Sequence, residues 1–159
     1  MSRLEQVANG VADDEAAMWV ALEQAQVAAA DGEVPVGAVV VVDGIVIAAR
    51  HNERESRRDP TAHAEMLALS DASSSLATWR LDAATMVVTL EPCAMCAGAA
   101  VASRLGRLVF GATDPKAGAC GSLYNLCCDP RLNHEIPTTG GVLAERCGAL
   151  VSAFFSARR

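Results

Sequence analysis

Aromatic residues are scarce in this chain. Two Trp, one Tyr and three Phe make up 4% of 159 residues, although 52% of the chain is hydrophobic. Ala and Val dominate that fraction, so the expected core is built from small side chains in closely packed helices and strands, and a disordered chain is excluded. No basic segment followed by an apolar run opens the sequence, so no secretory signal is read there. The longest apolar region, 34–49, is broken by Pro35, Asp43 and Gly44 and is too interrupted to span a bilayer. A soluble cytoplasmic protein without membrane association is the expectation. Positive charge is also short: 13 Lys and Arg stand against 19 Asp and Glu, a formal net charge of −6. That argues against nonspecific nucleic-acid binding through many phosphate contacts and leaves room only for a local basic patch. Repeats, linkers and low-complexity tracts are absent. The length suits one domain over 1–159, with 1–12 expected to be a flexible N-terminal segment.

The pattern that is present alternates helices and strands. A helix is predicted from Asp13 to Ala30, capped by Asp13 or Asp14 and closed by Gly32, with Met18, Leu22, Ala25 and Ala29 on one face. Two β-branched runs, Val36–Val42 and Ile45–Ala49, flank Asp43-Gly44, the signature of a tight hairpin. Residues 52–59 read as a charged loop. Pro60-Thr61 opens a helix through His63 that Ser73-Ser74-Ser75 interrupts. Met86–Leu90 and Leu108–Phe110 read as buried strands, with a helix from Pro92 between them. A short helix near Leu123–Cys127 and an amphipathic one presenting Leu143, Cys147, Leu150, Val151 and Phe154 complete the chain. This order implies an α/β domain with helices on both faces of a sheet.

Six cysteines without an export signal argue against a disulfide framework. Cys93 and Cys96 lie three apart, neighbours on one helix face in its first turn. There the exposed N–H groups and the positive end of the helix dipole favour thiolate. That placement suits a metal and a redox pair equally. Cys120, Cys127, Cys128 and Cys147 fit the simpler role of small buried hydrophobes. Of three histidines, His51 ends a strand and His134 sits in a turn region, whereas His63 opens a helix and is followed by Ala64-Glu65. His63, Cys93 and Cys96 would supply three ligands. Structural zinc takes four, and three leave a position for water, so the count favours catalysis over scaffolding. Zinc lowers the pKa of bound water from about 15.7 towards about 7. Glu65, about 200° round the helix from His63, is poorly placed as a fourth ligand but can reach the flank where water and substrate meet. Taken alone, Glu65 would read as a helix N-terminal acid stabilised by the dipole.

His63-Ala64-Glu65 followed by Pro92-Cys93-Ala94-Met95-Cys96 resembles the zinc-dependent nucleoside and nucleobase deaminases, whose known signature is H-x-E…P-C-x-x-C. Longer stretches narrow the resemblance: 34–39 (VPVGAV), 59–65 (DPTAHAE), 89–99 (TLEPCAMCAGA), 109–118 (VFGATDPKAG), 121–123 (GSL) and 132–134 (LNH) are similar to the bacterial tRNA-specific adenosine deaminases. The resemblance extends over most of the chain from Asp14 to Arg159. It implies one zinc-dependent deaminase domain with a three-layer α/β/α cytidine deaminase-like fold, a mixed five-stranded sheet, and a homodimer. The implied reaction converts adenosine to inosine at the wobble position of an arginine tRNA, by attack of zinc-activated hydroxide on C6 of a flipped-out adenine. Carried over position by position, His63, Cys93 and Cys96 bind one Zn2+ per subunit and Glu65 shuttles the proton. Asn52 and the backbone at Ala64 contact the base, and Asp114 contacts the RNA near the target nucleotide. Without the resemblance, Asn52 and Asp114 would read as ordinary turn residues.

The chain departs from its relatives mainly in the charged run 53–58. Arg54, Arg57, Arg58, Lys116, Arg158 and Arg159 form the needed basic patch only if the fold gathers them. Two other readings stay open on sequence alone: a deaminase of a free base or nucleoside such as guanine or cytosine, and a non-catalytic zinc module that binds RNA.

Overall fold

Helix α1 (Asp14–Ala30) starts where the Asp13 carboxylate accepts the Ala16 N–H at 2.8 Å, the bond an N-cap residue makes in place of a missing turn. Gly32, at φ +78°, takes the left-handed conformation just past its end. Met18, Leu22 and Ala25 are buried as their spacing requires, and Ala28 rather than Ala29 completes the face. These elements come from a computed structural model that describes residues 10–159. Most of the segment expected to be flexible thus lies outside the described residues. Within it, Val11 is tied to the hairpin, its N–H donating to the Gly44 carbonyl at 2.6 Å.

Strands β1 (Gly37–Val42) and β2 (Ile45–His51) are antiparallel and joined by Asp43 and Gly44 alone. Both turn residues have positive φ, 51° and 74°, as the hairpin signature predicts. Pairing steps from Val40–Ala48 to Val41–Val46, a bulge at Ile47.

The region expected to be a loop holds a single helical turn, α2 (Arg54–Arg57). Helix α3 (Ala64–Leu76) begins later than Pro60-Thr61 suggested, because Asp59 accepts both the Thr61 N–H and hydroxyl and holds that stretch in a turn. His63 is the N-cap. The three serines do not interrupt α3; it runs on until Ala77 turns left-handed at φ 54°. After β3 (Thr85–Leu90), α4 (Ala94–Ala102) likewise starts past Pro92, with Cys93 as its N-cap. Strand β4 (Arg107–Ala112), a 3-10 turn at Leu126–Cys128, the short β5 (Thr138–Thr139) and helix α5 (Ala144–Ser156) follow.

The five strands lie in the order β2-β1-β3-β4-β5. Strand β1 is antiparallel to both β2 and β3, and β3, β4 and β5 are mutually parallel. Alternation then divides the side chains. Ala38, Val40, Met86, Val88, Leu108 and Phe110 pack against Ala68 and Ala72 of α3 and Ala97 and Ala100 of α4. Val39, Val87 and Val109 face Met18, Ala21 and Leu22 of α1 and Cys147 of α5. The architecture is the expected three-layer α/β/α arrangement on a mixed five-stranded sheet. Small residues permit close layers: a Cβ at Gly37 would land on the Ala21 carbonyl of α1. The N-termini of helices α3 and α4 come together beyond the carboxyl end of β3, where their N-caps His63 and Cys93 meet.

Candidate metal centre and substrate pocket

Because His63 and Cys93 both stand as N-caps, their side chains project from neighbouring helix starts toward one point. The His63 Nδ1 lies 3.7 Å from the Cys93 Sγ and 3.6 Å from the Cys96 Sγ. Among the described residues this trio is the one group of three such side chains able to hold a metal ion, with the ligand atoms within 4.8 Å of one another. Cys96 is fully buried, while His63 and Cys93 are partly open on the pocket side. A hydrogen bond from the Cys96 thiol, reinforced by His63 against the opposing effect of burial, brings the Cys93 thiol down to about 3. Donation to Cys93, together with burial and the Glu65 carboxyl, pushes Cys96 up. The hydrogen bond to Cys93 raises His63. Two sulfurs and one imidazole nitrogen suit zinc in number and softness. His51 bonds its neighbour's carbonyl instead, and His134 lies 2.8 Å from the Leu105 carbonyl oxygen.

Glu65 stands outside the ligand trio but lines the same pocket. Only 4% of its surface is exposed. Burial drives its carboxyl above the ordinary glutamate range, and the nearby Cys93 adds to the rise while His63 opposes it. A buried carboxyl at the wall of the pocket, beside the trio, is placed as a general acid–base requires.

The pocket holds about 240 Å³ and is bounded by Val34, Val36, Asn52, Arg54, Ala64, Leu90, Asp114, Ala117 and Phe155 around the trio. It is smaller than the roughly 300–1,000 Å³ of sites for drug-sized ligands, a scale suited to one base. Asn52 is buried; its Oδ1 accepts the Arg54 N–H at 3.2 Å and its Nδ2 donates to the Val34 carbonyl at 3.4 Å. Asp114 also borders the pocket, with Oδ1 accepting the Lys116 and Ala117 N–H groups at 3.0 and 3.2 Å. Both residues therefore perform the turn chemistry their types suggest and face the cavity as well.

The six basic residues are only partly gathered. Lys116, Arg158 and Arg159 line a groove of about 850 Å³ that shares Val34, Leu90, Asp114 and Phe155 with the pocket. Arg54 is at the pocket itself. Arg57 is bonded to Glu53, and Arg58 is exposed at the left-handed end of α2. Cys120, Cys127 and Cys147 are buried, Cys128 is exposed, and the Cys120 and Cys127 sulfurs lie 3.6 Å apart.

Sequence reasoning missed three residues here. Phe155 closes one wall from α5. Glu33 is 1% exposed and caps α2 from the α1–β1 connection, its carboxylate accepting the Glu55 N–H at 2.6 Å and the Ser56 N–H at 3.3 Å. Glu91, 2% exposed, receives donors from the loop after β4. The available signal was a carboxylate closing an otherwise apolar strand, opposite a loop rich in glycine.

Residues 12–158 match the model of the MafB19-like deaminase family. The chain is 52% identical over 142 residues to the tRNA-specific adenosine deaminase of Bacillus subtilis, covering 89% of this chain and 88% of that protein. It is 49% identical to the corresponding protein of Haemophilus influenzae, over 92% and 85%. The chain belongs to the deaminase family of the tRNA-specific adenosine deaminases. Among solved structures of that family, one described with A-to-I editing by tRNA:A34 deaminases superposes with a TM-score of 0.82 at 40% identity, covering 84% of this chain and 97% of that one. A guanine deaminase from Nitrosomonas europaea superposes with a TM-score of 0.81 at 31% identity, over 98% and 93%. The deaminase fold is therefore shared by enzymes named for a tRNA and for a free base.

Proposed function

We propose that this deaminase hydrolyses adenosine to inosine at the wobble position of the anticodon of an arginine tRNA, with His63, Cys93 and Cys96 holding one zinc ion and Glu65 moving the proton. The observation that carries the substrate is the sequence match itself. Identity reaches 52% and 49% with proteins named tRNA-specific adenosine deaminases, against 31% with the guanine deaminase of the same fold. Zinc, when bound, supplies Lewis acidity that lowers the pKa of water. The chain's own residues do the rest. Glu65 accepts a proton from the attacking water and delivers one to the base, so that water adds at C6 and ammonia leaves. Asn52 and the Ala64 backbone hold the flipped base, and Asp114 meets the adjoining nucleotide, where a ribose 2′-OH would distinguish RNA from DNA. Arg54 at the pocket and Lys116, Arg158 and Arg159 along the groove offer cations to the flanking phosphates.

Two features extend this reading. Leu132 borders a groove with Val101, Ala102 and Leu126 that could receive a second copy in a homodimer, and Leu123 and Tyr124 are exposed nearby in sequence. Light scattering of the purified protein tests that assembly, and a monomer at working concentration refutes it. No described helix is long and apolar enough to cross a membrane; the proposed tRNA substrate supports a cytoplasmic site of action.

The deciding assay incubates zinc-loaded protein with an arginine-tRNA anticodon stem-loop carrying A at the wobble position. Inosine is expected in the product digest. Turnover of free guanine or cytosine without inosine would favour the free-base reading, and zinc binding without turnover of either would favour the non-catalytic module.

A further inference from the structure

The loop that carries Asp114 folds over the metal segment and converges on one buried carboxylate. Glu91 Oε1 accepts the Asp114 N–H at 3.1 Å and the Ser122 hydroxyl, and Oε2 accepts the Cys120 and Ser122 N–H groups at 3.1 Å each. Four donors from residues 114–122 thus end on a side chain only 2% exposed. The same side chain is packed by its surroundings, since a Cβ at Gly118 would overlap the carboxylate. Neighbouring backbone completes the attachment: the Glu91 N–H donates to the Ala112 carbonyl and the Ala119 N–H to the Pro92 carbonyl, both at 2.8 Å. Cys93 pairs with Gly118 across an antiparallel bridge. Glu91 also borders the pocket, although both its oxygens are taken by the loop.

Resting on the function proposed above, we propose that Glu91 is a positioning residue that holds the 113–122 loop, and with it Asp114, as a wall of the substrate pocket. It governs how substrate is held and leaves the metal and Glu65 unaffected. Glu91 takes no part in the proton transfer, which Glu65 performs from the other helix. The carboxylate is needed because all four groups aimed at it are donors. Gln has the same size but offers an N–H2 in place of one oxygen, so in either orientation two of the four donors lose their acceptor.

The test compares wild type, Glu91→Gln, Ser122→Ala and Asp114→Ala on the stem-loop substrate, with zinc content and melting temperature recorded for each. Glu91→Gln is expected to keep one zinc per chain and a kcat within about threefold of wild type, while KM rises about tenfold or more, the loss expected when buried donors are orphaned. Ser122→Ala, which removes one donor of four, should raise KM less. In the Asp114→Ala background the further effect of Glu91→Gln should fall well short of its effect alone, because both changes act on one wall. Loss of zinc, a loss confined to kcat, a lowered melting point with wild-type KM, or fully multiplicative effects would each overturn the assignment. If Glu91→Gln does not fold, Ser122→Ala decides, and an unchanged KM there counts against it. Absence of inosine from the wild type speaks against the function instead. The same KM comparison on whichever base is turned over then tests Glu91, since Asp114 borders the pocket for either substrate.

Discussion

At the residue scale, the division of labour proposed for Glu65 and the trio His63, Cys93 and Cys96 makes a sharp prediction. Glu65 lies outside the metal group yet within the pocket, buried and with its carboxyl raised. Glu65→Ala should therefore retain zinc, measured by atomic absorption, and lose turnover by roughly 10²- to 10⁴-fold, the usual worth of a positioned acid–base. Zinc loss in that variant would make Glu65 a ligand. Cys93→Ala removes one of three donors, so metal and activity should disappear together. The grouping of His63 with Cys93 and Cys96 was legible across thirty residues because H-A-E and P-C-A-M-C are each compact runs of side chains that suit a metal site. Glu91 was not, because its partners lie 23 to 31 residues away and are mainly backbone N–H groups, which no sequence pattern displays.

Elements were legible where their signals are local. Asp43-Gly44 announced the hairpin, since few other residue pairs tolerate two positive φ values. Asp13 announced α1 for the same kind of reason. The start of α3 was misplaced by a local Asp59–Thr61 turn, and other elements were hidden by longer-range contacts. Helix α2 is capped by Glu33, about twenty residues upstream, so nothing within 52–59 revealed it. The pair Thr138–Thr139 is too short and too exposed to alternate, and it becomes a strand only by lying parallel to Leu108 and Val109. The closeness of α1 to the sheet was equally hidden, and it is testable. In a Gly37→Ala variant the new methyl would meet the Ala21 carbonyl, the Ala25 nitrogen and the Gln24 Cβ. Helix backbone cannot yield as a flexible side chain does, so the expected cost is about 1–3 kcal/mol. Each kcal/mol lowers the melting temperature of a domain this size by roughly 2–4 °C, which thermal denaturation followed by circular dichroism will read. An unchanged melting point would mean that α1 sits further from β1 than described.

For the molecule as a whole, the question is how a protein of net charge −6 would hold the tRNA proposed as its substrate. Part of the answer is that much of its positive charge is already spoken for: Arg50 pairs with Asp71 and Glu53, Arg57 with Glu53, Arg107 with Asp14 and Arg131 with Asp129. The cations at the pocket and its adjoining groove are Arg54, Lys116, Arg158 and Arg159. Binding should then draw less on bulk electrostatics than on the shape and polar contacts of the pocket, and its salt dependence should be shallow. Releasing counterions from single-stranded RNA contributes a slope of about −0.7 per phosphate contact in log K against log salt, so four contacts from one subunit give about −3. Fluorescence anisotropy of a labelled stem-loop across a salt series measures this directly. Arg158→Ala with Arg159→Ala should flatten the slope by about 1.4 while leaving zinc content unchanged. A slope unaffected by that pair would show that the groove beside α5 does not carry the backbone, and that the phosphates lie along another face.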